Sequence, residues 1–331
     1  MDMIRWGILG AGRIAGSFAQ GLAALPDAKL VAVGSRTAEK AEEFGRRFGA
    51  ERFHASYAAL ANDPEVDAIY IATPHPMHKQ NTLLCLNAGK PVLCEKPFTL
   101  NAAEAGEMIA TARERSVFLM EAMWTRFLPH IARLRELLAA GAIGELRMLK
   151  ADFRFRTEFN PAGRLFDPAL GGGALLDVGI YPISLASLLL GQPSQVAALA
   201  ELGATGVDEQ SAVLLSYPGG QLAALTCAVR TPGPNAAELI GSAGTIRINP
   251  EWWRATTLTL SRPGQPDETI EVPAEGNGYN YEAAEVGACL RAGRTESATM
   301  PIDETLAIMG LLDQARAQWG LRYPSERGSA G

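Results

Sequence analysis

Ile4-Arg5-Trp6-Gly7-Ile8-Leu9-Gly10-Ala11-Gly12-Arg13-Ile14-Ala15-Gly16 is an apolar run that passes through a glycine-rich turn into a helical pattern. The spacing GxGxxA has a physical use at such a junction. Glycines permit the tight turn and the close approach of a pyrophosphate, and the helix that follows offers unpaired N–H groups and the positive end of its dipole. A turn that merely packs helix against strand can carry the same letters, so context decides. Here the junction heads a run of βαβ units, as a dinucleotide fingerprint requires. Short β-branched runs at 5–9, 30–33, 68–72, 92–95 and 117–120 alternate with helical patterns at 14–25, 38–48, 78–87 and 102–115. That alternation predicts a parallel sheet with helices on both faces.

Past residue 122 the texture changes. One more amphipathic helix, 128–140, precedes an alternating strand pattern at 146–155,. Strand-like runs then follow one another at 196–202, 211–217, 222–229, 237–240, 245–248, 256–260 and 268–272. Turns such as Pro218-Gly219-Gly220 join them, which predicts an antiparallel sheet,. Helical patterns at 281–290 and 302–319 complete the chain. Length alone is compatible with one barrel or two domains. The order of patterns favours two: an α/β Rossmann domain, residues 1–122, for the dinucleotide, then an α+β domain with a large, mostly antiparallel open sheet, residues 123–331, for substrate and oligomerisation,.

Composition narrows the function. With 331 residues and 47% hydrophobic content the chain buries large cores, which excludes a disordered or fibrous protein,. Cys85, Cys94, Cys227 and Cys289 form no CxxC or CxxH pair, so they predict neither a disulfide scaffold nor a structural zinc site,. A net charge of -6, with Arg46-Arg47 as the longest basic cluster, argues against nucleic acid and anionic membranes,. The longest apolar run, 180–190, is interrupted by Pro182 and is shorter than the roughly 20 residues of a membrane span,. No signal-peptide pattern opens the sequence, and the expected setting is the cytoplasm. Small-molecule chemistry is the default.

The residues after the second strand choose the cofactor. NAD sites usually place Asp or Glu there for the ribose 2′-OH, whereas this chain reads Val33-Gly34-Ser35-Arg36-Thr37, with Lys40 one turn on,. Arg36 can cover the adenine and, with Ser35, Thr37 and Lys40, contact a 2′-phosphate by charge-assisted hydrogen bonds. NADP is therefore favoured over NAD, held also by Gly10, Gly12, Arg13 and Ile14 of the phosphate loop. The plainer alternative makes Arg36 an ordinary helix-start residue.

Three further stretches carry reactive groups. Thr73-Pro74-His75-Pro76-Met77-His78 and Glu95-Lys96-Pro97 follow parallel strands, at the carboxyl ends where open α/β sheets take ligands; Thr73, His78, Glu95 and Lys96 are thus cofactor-site candidates,. Lys96 can stabilise an anion or hydrogen-bond a reacting oxygen, or simply pair with Glu95. His75 and His78 stand three apart, but Pro76 and the lack of further ligands argue against a metal,. In Gly171-Gly172-Gly173-Ala174-Leu175-Leu176-Asp177-Val178-Gly179-Ile180-Tyr181, Asp177 and Tyr181 share a helical face,. Spacing alone fits a core tyrosine bonded to Asp177 as well as a reactive pair.

GxGxxA, Thr-Pro-x-x-x-His, Glu-Lys-Pro and Gly-Gly-Gly-x-x-x-Asp-x-Gly-x-Tyr occur here in one order, and the chain resembles the Gfo/Idh/MocA oxidoreductases over essentially its whole length. Many members have His in the last position. Tyr181, together with Met120-Glu121-Ala122-Met123-Trp124-Thr125-Arg126-Phe127, is similar to the branch of dimeric dihydrodiol dehydrogenases and NADP-dependent D-xylose 1-dehydrogenases. The resemblance implies that Lys96 and Tyr181 flank the nicotinamide, Tyr181 as acid/base and Lys96 favouring its phenolate. It also implies that Asp177 orients substrate or the Lys96 ammonium, and that His78 holds the nicotinamide ribose or caps the next helix. Trp124, Arg126, Phe155, Phe159 and Tyr279 or Tyr281 are candidates for the substrate pocket; the branch supports Trp124 and Phe155, and core packing suits the others better. The expected enzyme is an NADP(H)-dependent oxidoreductase of a sugar or cyclic diol, a homodimer or larger. The rivals are a non-catalytic NADP-binding sensor and a glucose-fructose-type oxidoreductase with retained cofactor.

Overall fold

The computed structural model describes residues 3–326. Strand β1 (Ile4–Leu9) leads into α1 (Arg13–Leu22), and the alternation continues through β2 (Ala28–Gly34), α2 (Ala38–Phe48), β3 (Arg52–His54), α3 (Tyr57–Ala61), β4 (Ala68–Ile71), α4 (His78–Asn87), β5 (Val92–Glu95), α5 (Ala102–Arg115) and β6 (Leu119–Ala122). The six strands are parallel, in the order β3-β2-β1-β4-β5-β6. Chain order reverses between β1 and β4, so the carboxyl ends of these two strands form the crevice at which such sheets bind ligands. Every residue of β4, β5 and β6 is buried, as strands covered on both faces must be,. Phe18 of α1 stacks on Tyr70 of β4 at 3.7 Å and meets Trp6 of β1 edge-on at 5.1 Å. Thr37 caps α2 through Lys40 N, and Asn101 caps α5 through Glu104 N, each bond stabilising its helix by about 1 kcal/mol,. Strand β3 is missing from the sequence expectation because three residues show no alternation. Asp63 fastens it, accepting from Arg52 Nε at 2.6 Å and lying 2.8 Å from His54 Nε2.

The second sheet is built differently. After α6 (Pro129–Ala139) and β7 (Leu146–Arg154) come a π-helical turn (Leu175–Gly179) and α7 (Ile180–Leu190), then β8 (Gln195–Leu202), β9 (Asp208–Ser216), β10 (Leu222–Ala228), β11 (Ala237–Gly241), β12 (Thr245–Ile248), β13 (Thr257–Ser261) and β14 (Glu268–Glu271). The order is β14-β13-β12-β11-β7-β10-β9-β8, antiparallel except where β7 meets β10. One face is covered: Leu149, Val213, Leu215, Leu225 and Leu239 are buried, as are residues Ile180 to Ser187 of α7. The other presents Leu199, Leu214 and Leu222, which are 80%, 57% and 50% exposed. Register sets Leu199 opposite Ala212, Leu214 opposite Ala197 and Ala224, and Leu222 opposite Met148. The stretch Pro168–Leu190 is long and apolar enough to cross a membrane by length and composition, yet 83% of its most apolar window is buried in the fold, as in a core helix.

The chain resolves into two compact units, residues 3–127 with Glu275–Leu306, and Leu128–Ala274 with residues 307–326. Helix α8 (Tyr279–Arg291) and the first turn of α9 (Ile302–Trp319) therefore belong with the Rossmann sheet. α8 lies so close to α1 that a Cβ on Gly21 would fall 2.9 Å from Tyr279 Cβ, and Leu119 N at the head of β6 donates to Thr295 O at 3.2 Å. A single cut after residue 122 does not express this return.

Candidate active site

In the first unit the phosphate loop is shaped by its glycines. Gly10 has φ +104°, and a Cβ there would come within 3.0 Å of Ala72 O. Gly12 faces open space, with no atom within 4 Å of an added Cβ, and no side chain caps α1 behind it. The first N–H groups of α1 are thus left to a ligand, which is what a pyrophosphate needs. A cleft of about 430 Å³ adjoins the loop at Gly12 and Arg13. At the end of β2, Ser35 is buried and its N–H donates to His54 O at 3.0 Å. Arg36, Thr37 and Lys40 are exposed, and among the described residues neither Arg36 nor Lys40 has an ion-pair partner. Unpaired cations beside a helix start fit a 2′-phosphate.

The loops after β4 and β5 are tied together. His78 is fully buried, with Nε2 2.8 Å from Thr73 O and Nδ1 2.9 Å from Pro97 O. Burial lowers its pKa. Either tautomer donates to one carbonyl, so the imidazole staples the Thr73 loop to the Lys96–Pro97 loop, whose peptide bond is cis. Thr73 Oγ1 accepts from Asn81 at 3.1 Å. Glu95 accepts from Tyr70 Oη and from the backbone N–H of Lys96. Glu282 of α8, fully buried, is held well above the usual carboxyl range by burial and by the Glu95 charge. Trp124 stacks on Tyr279 with ring centroids 5.0 Å apart. Arg126, a substrate candidate by sequence, is only 4% exposed and its guanidinium lies 2.7 Å from Glu304, a pairing internal to the unit.

In the second unit the π-turn carries Asp177, and Tyr181 follows on α7; both are buried. Asp177 accepts from Arg164 Nη1 at 2.7 Å and Nη2 at 3.4 Å. The Tyr181 ring is 5.2 Å from Phe153, which stacks flat on Trp253 at 3.5 Å. Phe155 packs on a core of Phe166, Ala174, Val178, Cys227 and Val229. Phe159 is 41% exposed and meets Phe166 in a T-shaped contact, and Tyr281 Oη accepts from Glu275 N. Arg164, Phe153 and Trp253 are the contributors that sequence reasoning missed. The adjacent Trp252-Trp253 pair was the one visible signal, since two large aromatics side by side cannot both face one core. Among the described residues no three of His, Cys, Asp and Glu gather as a metal site would need.

The chain belongs to the GFO/IDH/MocA oxidoreductases: the oxidoreductase family with an NAD-binding Rossmann fold matches residues 4–123, and the GFO/IDH/MocA C-terminal domain matches residues 131–247. It is thereby an NAD(P)-dependent dehydrogenase or reductase acting on CH–OH groups. It is 42% identical to trans-1,2-dihydrobenzene-1,2-diol dehydrogenase of Mus musculus and 38% identical to that of Homo sapiens, each alignment covering 98% of this chain and 99% of the relative. Among solved structures it is similar to KijD10, a 3-ketoreductase from Actinomadura kijaniata in complex with NADP and TDP-benzene, at TM-score 0.86 and 30% identity over 95% of this chain and 97% of that one. It is also similar to aldose-aldose oxidoreductase from Caulobacter crescentus complexed with glycerol, at TM-score 0.87 and 26% identity over 96% and 98%.

Proposed function

We propose that this protein is a cytoplasmic NADP(H)-dependent oxidoreductase that interconverts the carbinol and carbonyl forms of a sugar or cyclic diol. When bound, NADP accepts or supplies hydride at C4 of its nicotinamide. Gly10, Gly12 and the uncapped start of α1 hold the pyrophosphate, while Ser35, Arg36, Thr37 and Lys40 hold the 2′-phosphate. In the oxidative direction Tyr181 takes the substrate hydroxyl proton, and in the reductive direction it returns one. A free phenol titrates at about 10, so this role needs a cation, and the family motif offers Lys96 for it. Asp177, held by Arg164, orients the substrate hydroxyl, and the faces of Trp124 and Phe155 suit the CH face of a ring.

The observation that carries this reading is a buried phenol four residues on from a buried carboxylate that an arginine already fixes. The named diol dehydrogenases and the NADP-bound ketoreductase support the substrate and cofactor. Tyr181→Phe should abolish NADPH-linked turnover and leave NADPH binding, followed by fluorescence titration, within about twofold. Retained turnover rejects the assignment.

The likeness to an aldose-aldose oxidoreductase favours a second reading, in which cofactor stays bound while hydride passes between two sugars. Cofactor travelling with the protein through gel filtration would support it, and its complete loss would reject it. We further propose a homodimer or larger assembly closed through the open sheet face that bears Leu199, Leu214 and Leu222. A reducing cytoplasm suits four free, buried cysteines,. Cell fractionation tests that location.

A further inference from the structure

The turn that carries Asp177 is pinned from outside its own segment. Gly171, Gly172 and Gly173 lead into it, and Gly173 adopts φ +122°. Asp208, fully buried at the start of β9, accepts the backbone N–H of Leu175 at 2.7 Å. A Cβ on Gly173 would fall 2.3 Å from Asp208 Oδ1, so any side chain at 173 would displace the carboxyl. Tyr323, also fully buried, donates its hydroxyl to Gly172 O at 2.7 Å. It is fixed in turn by Glu326, which accepts from Tyr323 N at 2.7 Å and pairs with Arg316 at 2.9 Å, and by the Arg316 guanidinium 4.9 Å above its ring.

Stability alone does not explain Asp208. Burial pushes its carboxyl up to about 7 in spite of the nearby backbone N–H groups, and among the described residues Oδ1 has no hydrogen-bond partner. A well-packed apolar side chain would cost less there. What the carboxyl supplies is an acceptor at a fixed height on the first turn of the segment that ends in Tyr181.

We infer that Asp208 is a positioning residue for Tyr181, acting through the Leu175 N–H and the fit of Gly173, with Tyr323 as a second pin on Gly172. The inference rests on the reading of Tyr181 as the acid/base. A shift at the start of the π-turn is carried along the helix to the phenol, and misplacing a reacting group by about 1 Å costs as much as about a hundredfold in rate.

Asp208→Ala, Asp208→Asn and Tyr323→Phe, assayed beside Tyr181→Phe, test it. Asp208→Ala should lower kcat by about tenfold or more while substrate KM and NADPH Kd stay within about twofold. Asp208→Asn keeps an acceptor of the same reach and should restore kcat to within about threefold of the parent. A merely structural role would move neither kcat alone nor its rescue by Asn. Should Asp208→Ala fail to fold, Tyr323→Phe decides: a kcat loss of about threefold or more supports the pin, and an unchanged kcat overturns it. An inactive Tyr181→Phe beside a fully active Asp208→Ala overturns the positioning role alone, as does an Asn variant no better than Ala. Turnover by Tyr181→Phe overturns the reading beneath it.

Discussion

Arg36 makes the sharpest prediction about a single side chain. It is exposed and, among the described residues, has no ion-pair partner, so removing it costs the fold little, whereas a charge-assisted bond to a 2′-phosphate contributes about 1.5–3 kcal/mol,. Arg36→Ala should raise the Kd for NADP by about tenfold or more and leave that for NAD nearly unchanged; equal changes reject the role. Titration gives another test. Burial raises Glu121 from 4.5 to about 7 and Asp208 from 3.8 to about 7, so the folded chain holds protons that the unfolded chain has released. Stability from these groups is present at low pH and is lost as pH rises through that window. His130, lowered from 6.5 to about 4 by burial, acts oppositely, but only below 6.5. Tm should therefore fall from pH 6.5 through neutrality, and Glu121→Gln should flatten that slope in thermal scans. At this scale the sequence offers Lys96, Asp177 and Tyr181 as candidates because they stand in motifs with fixed spacing. Arg164 was not legible, because its bond to Asp177 crosses an irregular loop that has no period to read. The bond of Arg126 to Glu304 was hidden for a related reason, its partner lying 178 residues away.

At the scale of elements the π-turn is the departure from expectation. Helical spacing predicted one face for Asp177 and Tyr181, and residues four apart stay nearly aligned in the wider turn, while the helix type was hidden,. Gly179 ends that turn. A Cβ there would sit 2.8 Å from Cys227 Sγ and 3.1 Å from Leu175 Cδ1. Gly179→Ala should destabilise the protein by about 1–3 kcal/mol through overpacking. Adding Cys227→Ala removes the sulfur and should recover a good part of that loss, a coupling that a double-mutant cycle in urea would read. Additive effects would mean that the close approach to Cys227 is not what excludes a side chain at 179.

Across the molecule, the open face of the second sheet follows from alternation that sequence could show, whereas the partner proposed for it could not be read from a single chain. Leu214→Glu places a charge amid Leu199, Ala197 and Ala224. On the proposed assembly it should shift light-scattering mass to the monomer with the fold intact, whereas an unchanged mass rejects this face as the interface. The return of Glu275–Leu306 to the Rossmann unit was equally hidden, since helix periodicity reports an apolar stripe and not which sheet it covers. That return also sets a schedule for synthesis. Domains generally fold in the order in which they leave the ribosome. Here the dinucleotide unit, though its sheet is encoded first, stays unfinished until residue 306 has emerged, and the entire antiparallel sheet is translated in the interval. A nascent chain halted before α8 would leave the flank of α1 beside Gly21 uncovered, so the packing of the first unit is completed only in the last stage of the chain's production.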